Sequence, residues 1–297
     1  MKNKIYFFFF MLFALNLKAQ QIPDSSYVPN IINKAYPNLN GTTVFIDEAH
    51  NNFHTKDNRF LAFSNVLKAD GYSVKSFTEK FTVESLSGVK ILVISNALEE
   101  NARGPFVIPT KSAFTKEEVK SVKKWVEKGG SLFLIADHMP FAGAASKLGE
   151  AFGFTFYDSF LFDENRRGIL DFYKEKKDLG KHKITDSISK IRTFTGQAFK
   201  IPNKSVSILN LKKKYNVFLP DTMWVFNDKT KKFNANNLSQ GAVLEFGKGK
   251  IAVFGEAAMF TAQLAGRNRF KAGMNSEDAS ENYKLLLNII HWLDKVK

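Results

Sequence analysis

Three apolar runs in this chain end in side chains that can hold a metal or move a proton. Thr42 to Asp47 leads into Asp47-Glu48-Ala49-His50-Asn51-Asn52-Phe53-His54, Ser131 to Ala136 into Asp137-His138, and Ile251 to Gly255 into Glu256. Three of the five histidines lie in the first two places. Carboxylates and neutral imidazoles suit zinc, manganese or iron, on which a bound water becomes nucleophilic near neutral pH. On this expectation Asp47, His50, His138 and Glu256 hold one divalent metal, with Asp137 or His54 as general base. Without a metal, the same groups suit acid–base chemistry on a sugar or an amide. A third reading has no catalysis, the polar groups only orienting a bound ligand or partner.

Each residue also has a plain structural reading. Asp47 can cap a turn or helix, and Asp137 can serve the turn before Pro140. His138 can be a hydrogen-bonded structural histidine, and Glu256 can sit in a helical first turn where its charge suits the dipole. His50 and His54 share a face only if their stretch is helical. The coincidence of all of them at strand ends points to a cleft, because open parallel sheets bind ligands beyond the carboxyl ends of their strands. Asn51, Gln197 (in Thr193-Phe194-Thr195-Gly196-Gln197), Gln263 and Arg267 are further ligand-binding candidates, Arg267 for an anionic group. The start of the Phe141-Ala142-Gly143-Ala144-Ala145 stretch could bind an anion through free N–H groups, or its small residues could serve close packing.

The elements that must position these residues alternate. Thr42 to Asp47, Tyr72 to Phe77, Val89 to Ile94 and Ser131 to Ala136 read as strands, Val89 to Ile94 being apolar on both faces as a central parallel strand is. Arg59 to Ala69 has helical spacing and stops at Gly71. Thr115 with Glu118 forms a capping-box pattern ahead of a stripe of Val119, Val122, Trp125 and Val126. Ala142 to Phe152 and Asn282 to Leu293 read as helices. Gly241 to Phe246 and Ile251 to Gly255 read as a hairpin around Gly247-Lys248-Gly249-Lys250, which is no phosphate loop because no helix follows. The alternation predicts an α/β fold with a mainly parallel sheet covered on both faces. The expected organisation is an arm over residues 20–40 and one domain over 41–297, with an inserted α+β region at about 163–237.

Composition narrows the functions. With 297 residues, 44% hydrophobic types and 30 Phe, the chain is globular with an aromatic surplus. Cysteine is absent, which excludes disulfides, a thiol nucleophile and a zinc–thiolate site. The formal charge of +14 comes from scattered lysines, and no nucleic-acid motif accompanies it. Lys2, Lys4, the apolar run Ile5 to Leu15 and Leu17-Lys18-Ala19 predict a signal peptide over 1–19. An exported, periplasmic or secreted protein without stable membrane insertion is therefore expected. There is no Gly-x-Ser-x-Gly elbow and no nucleotide cofactor is expected.

Three stretches, Phe45-Ile46-Asp47-Glu48-Ala49-His50-Asn51-Asn52, Ile135-Ala136-Asp137-His138-Met139-Pro140 and Val253-Phe254-Gly255-Glu256-Ala257-Ala258-Met259-Phe260, resemble an uncharacterised family of exported bacterial proteins. That family is placed with the class I glutamine-amidotransferase-like domains. The resemblance spans roughly Thr42 to Leu293 and implies a flavodoxin-like, three-layer sandwich. Amidotransferases of the superfamily use a Cys at a strand–helix elbow; this chain has none, and the equivalent turn is near Asp137-His138. Members without the Cys include the trehalose-utilisation type and non-enzymatic domains of gliding-motility and intraflagellar-transport proteins. The leading expectation is an exported, metal-dependent hydrolase acting on a carbohydrate or other small polar substrate. The alternative is a catalytically silent domain that binds a ligand or partner in an envelope or glycan-handling system.

Overall fold

The computed structural model describes residues 21–296; the expected signal peptide lies outside them. The main sheet has nine strands, and six of them form its frame: β1 Thr43–Asp47, β2 Ser73–Phe77, β3 Ile91–Ser95, β4 Ser131–Ile135, β5 Ser239–Phe246 and β6 Gly249–Phe254. The parallel part runs β2-β1-β3-β4-β6, and β5 returns antiparallel along β6. This is the 2-1-3-4-5 order of flavodoxin-like sheets, which reverses direction between β1 and β3. Every residue of β3 and β4 is buried, which explains why their sequences are almost wholly apolar.

The period-2 alternation splits these strands between two cores. Val93, Phe133, Ile135, Ala252 and Phe254 face α1 (Leu61–Ala69) and α4 (Asn282–Asp294). Leu92, Ile94, Leu132, Leu134, Ile251 and Val253 face α2 (Lys116–Glu127) and α3 (Phe141–Glu150). Sequence places all four helices within a few residues of these bounds. The capping box on α2 is formed: Thr115 Oγ1 accepts from the Glu118 N–H, and Glu118 accepts from the Thr115 N–H. The β5–β6 hairpin closes through Gly247, whose φ of +60° is the left-handed conformation that glycine adopts without strain.

The region expected as an α+β insertion differs. Among the described residues it holds strands and one short 3₁₀ turn, Lys183–Thr185, and no α-helix. Phe160–Asp163, Tyr215–Leu219 and Lys231–Asn234 form one small sheet; Ile169–Tyr173 and Lys190–Phe194 form a hairpin. Val206–Asn210 and Phe199–Lys200 join β5 and so extend the main sheet. Leu161, Leu170, Phe172, Ile191 and Val217 share the core of α1 and α4. Short segments with period-2 burial satisfy their backbones by pairing with distant strands, which a charge-rich sequence does not reveal.

The segment from Gln21 packs along the rest of the chain. Gln21–Pro23 adds a strand to the hairpin of Ala262–Ala265 and Phe270–Gly273. Tyr36 then donates its hydroxyl to buried Asp294, which Thr42 and Lys90 also engage. No described helix is long and apolar enough to cross a membrane.

Phe133 is fully buried and meets Phe63, Phe254 and Phe260 edge to face or tilted. Phe133→Ala should lower unfolding free energy by about 3–5 kcal/mol. Urea titration should show the loss as a lower midpoint at an unchanged slope.

Candidate functional site

The end of β1 forms a closed ionic cluster. Asp47 is fully buried, and both its carboxylate oxygens lie against His50 Nδ1, at 2.9 and 3.0 Å. The other ring nitrogen, Nε2, donates to Glu118 Oε1 at 2.9 Å. Phe81 and Phe114 cover the ring at 4.4 and 4.9 Å between centroids. Asn52 Nδ2 and the Ala49 N–H complete Asp47, and Thr115 completes Glu118. Burial alone would lower the His50 pKa, but the hydrogen bonds and charges of Asp47 and Glu118 outweigh it, and the net direction is upward. Glu118 moves the opposite way: burial raises it, but His50 and Thr115 bring it below the ordinary carboxylate value.

The expected ligand set is divided between two places. A metal needs a free imidazole lone pair, and both His50 nitrogens are engaged. Asp47 and His50 belong to a different hydrogen-bonded cluster from His138 and Glu256. Among the described residues, no three His, Asp or Glu side chains come together to hold a metal. The partner that completes the cluster, Glu118, was legible only as a helix cap.

The ends of β4 and β6 do meet. Asp137 Oδ1 accepts from the His138 N–H at 2.7 Å and Oδ2 from the Ala257 N–H at 3.3 Å. Glu256 lies behind it, fully buried, accepting from the Ala258 and Met259 N–H groups at 2.6 and 2.8 Å. Burial, reinforced by the charge of Asp137, pushes the Glu256 carboxyl up to about 8 despite those donors. Glu256 thus stands just ahead of the 3₁₀ turn Ala258–Phe260 and accepts from the backbone at its start. His138 Nδ1 lies 2.7 Å from the Met139 carbonyl. A carbonyl only accepts, so Nδ1 carries the proton and the lone pair sits on Nε2. Nε2 has no hydrogen-bond partner among the described residues, and Asp137 Oδ1 stands 4.0 Å away.

Asp137 and His138 open onto a cleft of about 530 Å³ that reaches across the ends of β3 and β4. Its polar groups include His54, Asn96, Arg103, Asp137, His138, Thr195 and Gln263; its aromatic walls are Phe53, Phe106, Phe141, Phe194 and Trp224. Trp224 is half-exposed and stands edge-on to His138 at 4.9 Å, while Phe160 stacks behind that imidazole at 4.6 Å. Three backbones here adopt left-handed φ without being glycine: Asn96 (+48°), Thr195 (+105°) and Trp224 (+64°). For a β-branched residue such as Thr195 this is costly, and such strain gathers at binding sites. Asn96 Oδ1 accepts from the Asp137 N–H at 2.9 Å, locking floor and wall together.

The other sequence candidates scatter. Gln263 and His54 line the cleft. Gln197 is a buried clip, donating to the Ala136 carbonyl and accepting from the Tyr157 N–H. Asn51 is exposed and ties its loop to the carbonyl of Glu99. Arg267 lies in an exposed hairpin turn away from the cleft lining. At the start of α3 the Phe141, Gly143 and Ala144 N–H groups are taken by His138, Asp158 and Pro140, so the anion-site reading there loses its donors. Asn96 and, in the aromatic wall, Phe106 and Trp224 were missed. These residues lie in loops with no periodic signal, and only Trp224's rarity marks it.

No protein-family model matches the chain, and no curated protein matches it. Solved structures do. The mmIFT52 N-terminal domain superposes with a TM-score of 0.59 at 16% identity, over 84% of this chain and 97% of that one. A ThuA-like protein from Bacteroides uniformis scores 0.45 at 12% identity, over 90% and 94% of the two chains. Cytoplasmic Protein STM3548 from Salmonella typhimurium scores 0.46 at 12% identity, over 84% and 98%. At such identities the likeness concerns the fold: an α/β protein with a mixed sheet and helices on both faces. The structure adds an aromatic-walled cleft at the strand ends.

His50→Gln should cost about 3–5 kcal/mol, because two buried carboxylates lose their shared partner. Folded His50 holds its proton more tightly than unfolded His50. Its contribution is therefore complete below the unfolded value of about 6.5 and fades as pH rises through the higher folded value. Urea unfolding of both proteins from pH 5 to 9 should show the gap between them narrowing as the pH rises.

Proposed function

We propose that the protein is an exported hydrolase that acts on a carbohydrate or related small polar substrate by acid–base chemistry at His138 and Asp137. The amidotransferase-like description of the fold belongs to the same reading. It is supported by the flavodoxin-like strand order. One observation carries the chemistry: His138 Nε2 has a free lone pair, 4.0 Å from Asp137 Oδ1, in an aromatic-walled cleft. That separation is too long for a hydrogen bond. It leaves room for one water or substrate hydroxyl to touch both atoms. His138 would take the proton of that water, and Asp137 would orient it and favour the imidazolium that forms. Glu256, holding its own proton near neutral pH, would not add a second buried charge beside Asp137.

The walls support the substrate class. Trp224, Phe53 and Phe106 offer flat apolar faces to the C–H faces of a sugar ring, while Asn96, Thr195 and Gln263 offer groups for its hydroxyls. A specific observation also favours the catalytically silent reading. Asp137 already accepts two backbone N–H groups, so it has a structural task whether or not it has a catalytic one.

A hydrolysis screen on glycosides and glycan esters, with binding followed by thermal shift, separates the two. His138→Ala and Asp137→Asn should each lower kcat by about a hundredfold or more while the circular dichroism is unchanged. Trp224→Ala should weaken substrate binding about fivefold to tenfold. Glycan binding without turnover, unchanged in Asp137→Asn, would leave a binding domain. Loss of turnover with EDTA, restored by zinc, manganese or iron, would return a metal to the mechanism. The N-terminus of the protein recovered from the cell envelope or medium should be Gln20.

A further inference from the structure

The wall of the cleft opposite His138 is built from the loops after β1 and β3, and its charges are unspent. His54 is 3% exposed and lines the cleft. Among the described residues no hydrogen-bond partner reaches its Nδ1. Burial, and secondarily the charge of Arg59, push its pKa down to about 3, so the ring is neutral. Arg59 lies 3.7 Å over the face of Phe53, itself a cleft residue, and its buried Nε–H is likewise without a partner. Its Nη1 reaches only the Phe53 carbonyl. Arg103 stands at the rim and donates only to the carbonyl of Ala102. Neither guanidinium has a carboxylate partner among the described residues.

Buried polar atoms are nearly always paired, and an arginine N–H can only donate. Of the two orphans, His54 lines the cleft and Arg59 lies against Phe53, so His54 and rim-standing Arg103 are the cleft groups left without a partner that matches them. Acidic groups do lie nearby, but among the described residues none pairs with either guanidinium. Asp137 accepts backbone N–H groups on the far side, and Glu99, next to Arg103 in the adjoining groove, accepts from the Asn101 N–H. The net charge of +14 adds a long-range attraction of the same sign.

We infer that the cleft selects a sugar bearing a carboxylate, a uronic acid unit, with the acid group taken up at the His54 wall. Arg103 meets it from the rim, Arg59 supports it from behind Phe53, and neutral His54 supplies a hydrogen bond. This rests on the reading of the cleft as a carbohydrate site and narrows it. The sugar's ring keeps the aromatic faces and His138; the carboxylate distinguishes it from neutral sugars. The arginines contribute in the bound state only, since in the free protein they have no anion to hold.

Calorimetric titration of the mature chain with paired probes tests this. The pairs are trigalacturonate against the neutral galactose trimer of the same linkage, and a glucuronate trimer against its glucose counterpart. The acidic member should bind at least about tenfold tighter at low ionic strength, as a charge-assisted pair implies. That margin should shrink with added salt. Arg103→Gln, an exposed position where folding is safe, should reduce the margin several-fold by weakening the acidic member. Arg59→Gln should reduce the margin as well. His138→Ala should weaken both members alike. Equal binding of the two members, or a margin that survives both arginine substitutions, overturns the acidic preference and leaves the carbohydrate reading standing. Binding of neither member by the wild type, with no effect of His138→Ala, overturns both. A sulfated galactose trimer that outcompetes trigalacturonate would reassign the anion to a sulfate and overturn the uronate assignment.

Discussion

The imidazole of His50 between Asp47 and Glu118 is the constraint on which the strand-end architecture depends. It joins three separate elements through one side chain: the end of β1, the loop that follows, and the first turn of α2. Taking these charges out of water is expensive, and such a cluster is tolerated only when every lone pair and proton is used. Here Asn52, Ala49, Thr115 and the Phe81 backbone use the rest. Partial loss is therefore worse than complete apolar replacement, because a lone buried carboxylate has nowhere to place its charge. The gain is positional. The His50 carbonyl accepts from the Leu98 N–H and Phe53 donates to the Asn96 carbonyl, so the loops after β1 and β3 are fixed to each other. Both of those loops form the cleft wall.

Much of the frame was legible in the sequence, for a physical reason. Strands buried on both faces must be apolar throughout, as β3 and β4 are, and a helix between a core and solvent must carry a stripe, as α2 does. Such patterns are local. The helix cap Thr115–Glu118 was likewise readable, but its second function, holding His50, was not, because residues 68 positions apart announce no contact in sequence. The same limit explains the metal expectation. Asp47, His50, His138 and Glu256 share a position at strand ends, yet side-chain direction and hydrogen-bond partners decide which of them meet. Asp47 finds His50 three residues on, and Glu256 finds the backbone of its own turn.

The insertion shows the opposite case. Its polar, lysine-rich sequence hides β-strands that are completed by pairing with residues far away, and its most consequential residue is Trp224. That side chain sits in a loop bound to another loop: the Met223 N–H donates to the Phe106 carbonyl and the Ile108 N–H to the Asp221 carbonyl. Two irregular segments with no periodicity thus brace each other, and Trp224 is held at left-handed φ against His138.

The division of labour follows from the sheet. Parallel strands deliver polar residues to one edge because their carboxyl ends all point the same way, and the order reversal between β1 and β3 opens space there. The sheet alone gives a shallow polar floor. A floor exposed to water binds small polar molecules weakly, since each hydrogen bond only replaces one to solvent. The segments outside the βα frame, the loop after β3 and the insertion, raise aromatic walls that exclude water around the same floor. His138 stands at the junction, its back on Phe160, its edge on Trp224 and its free nitrogen toward the cleft. On the proposed reading, the chemistry and the selectivity of the cleft are separable: the first would rest on two consecutive residues after β4, and the second on walls that the same fold can build differently.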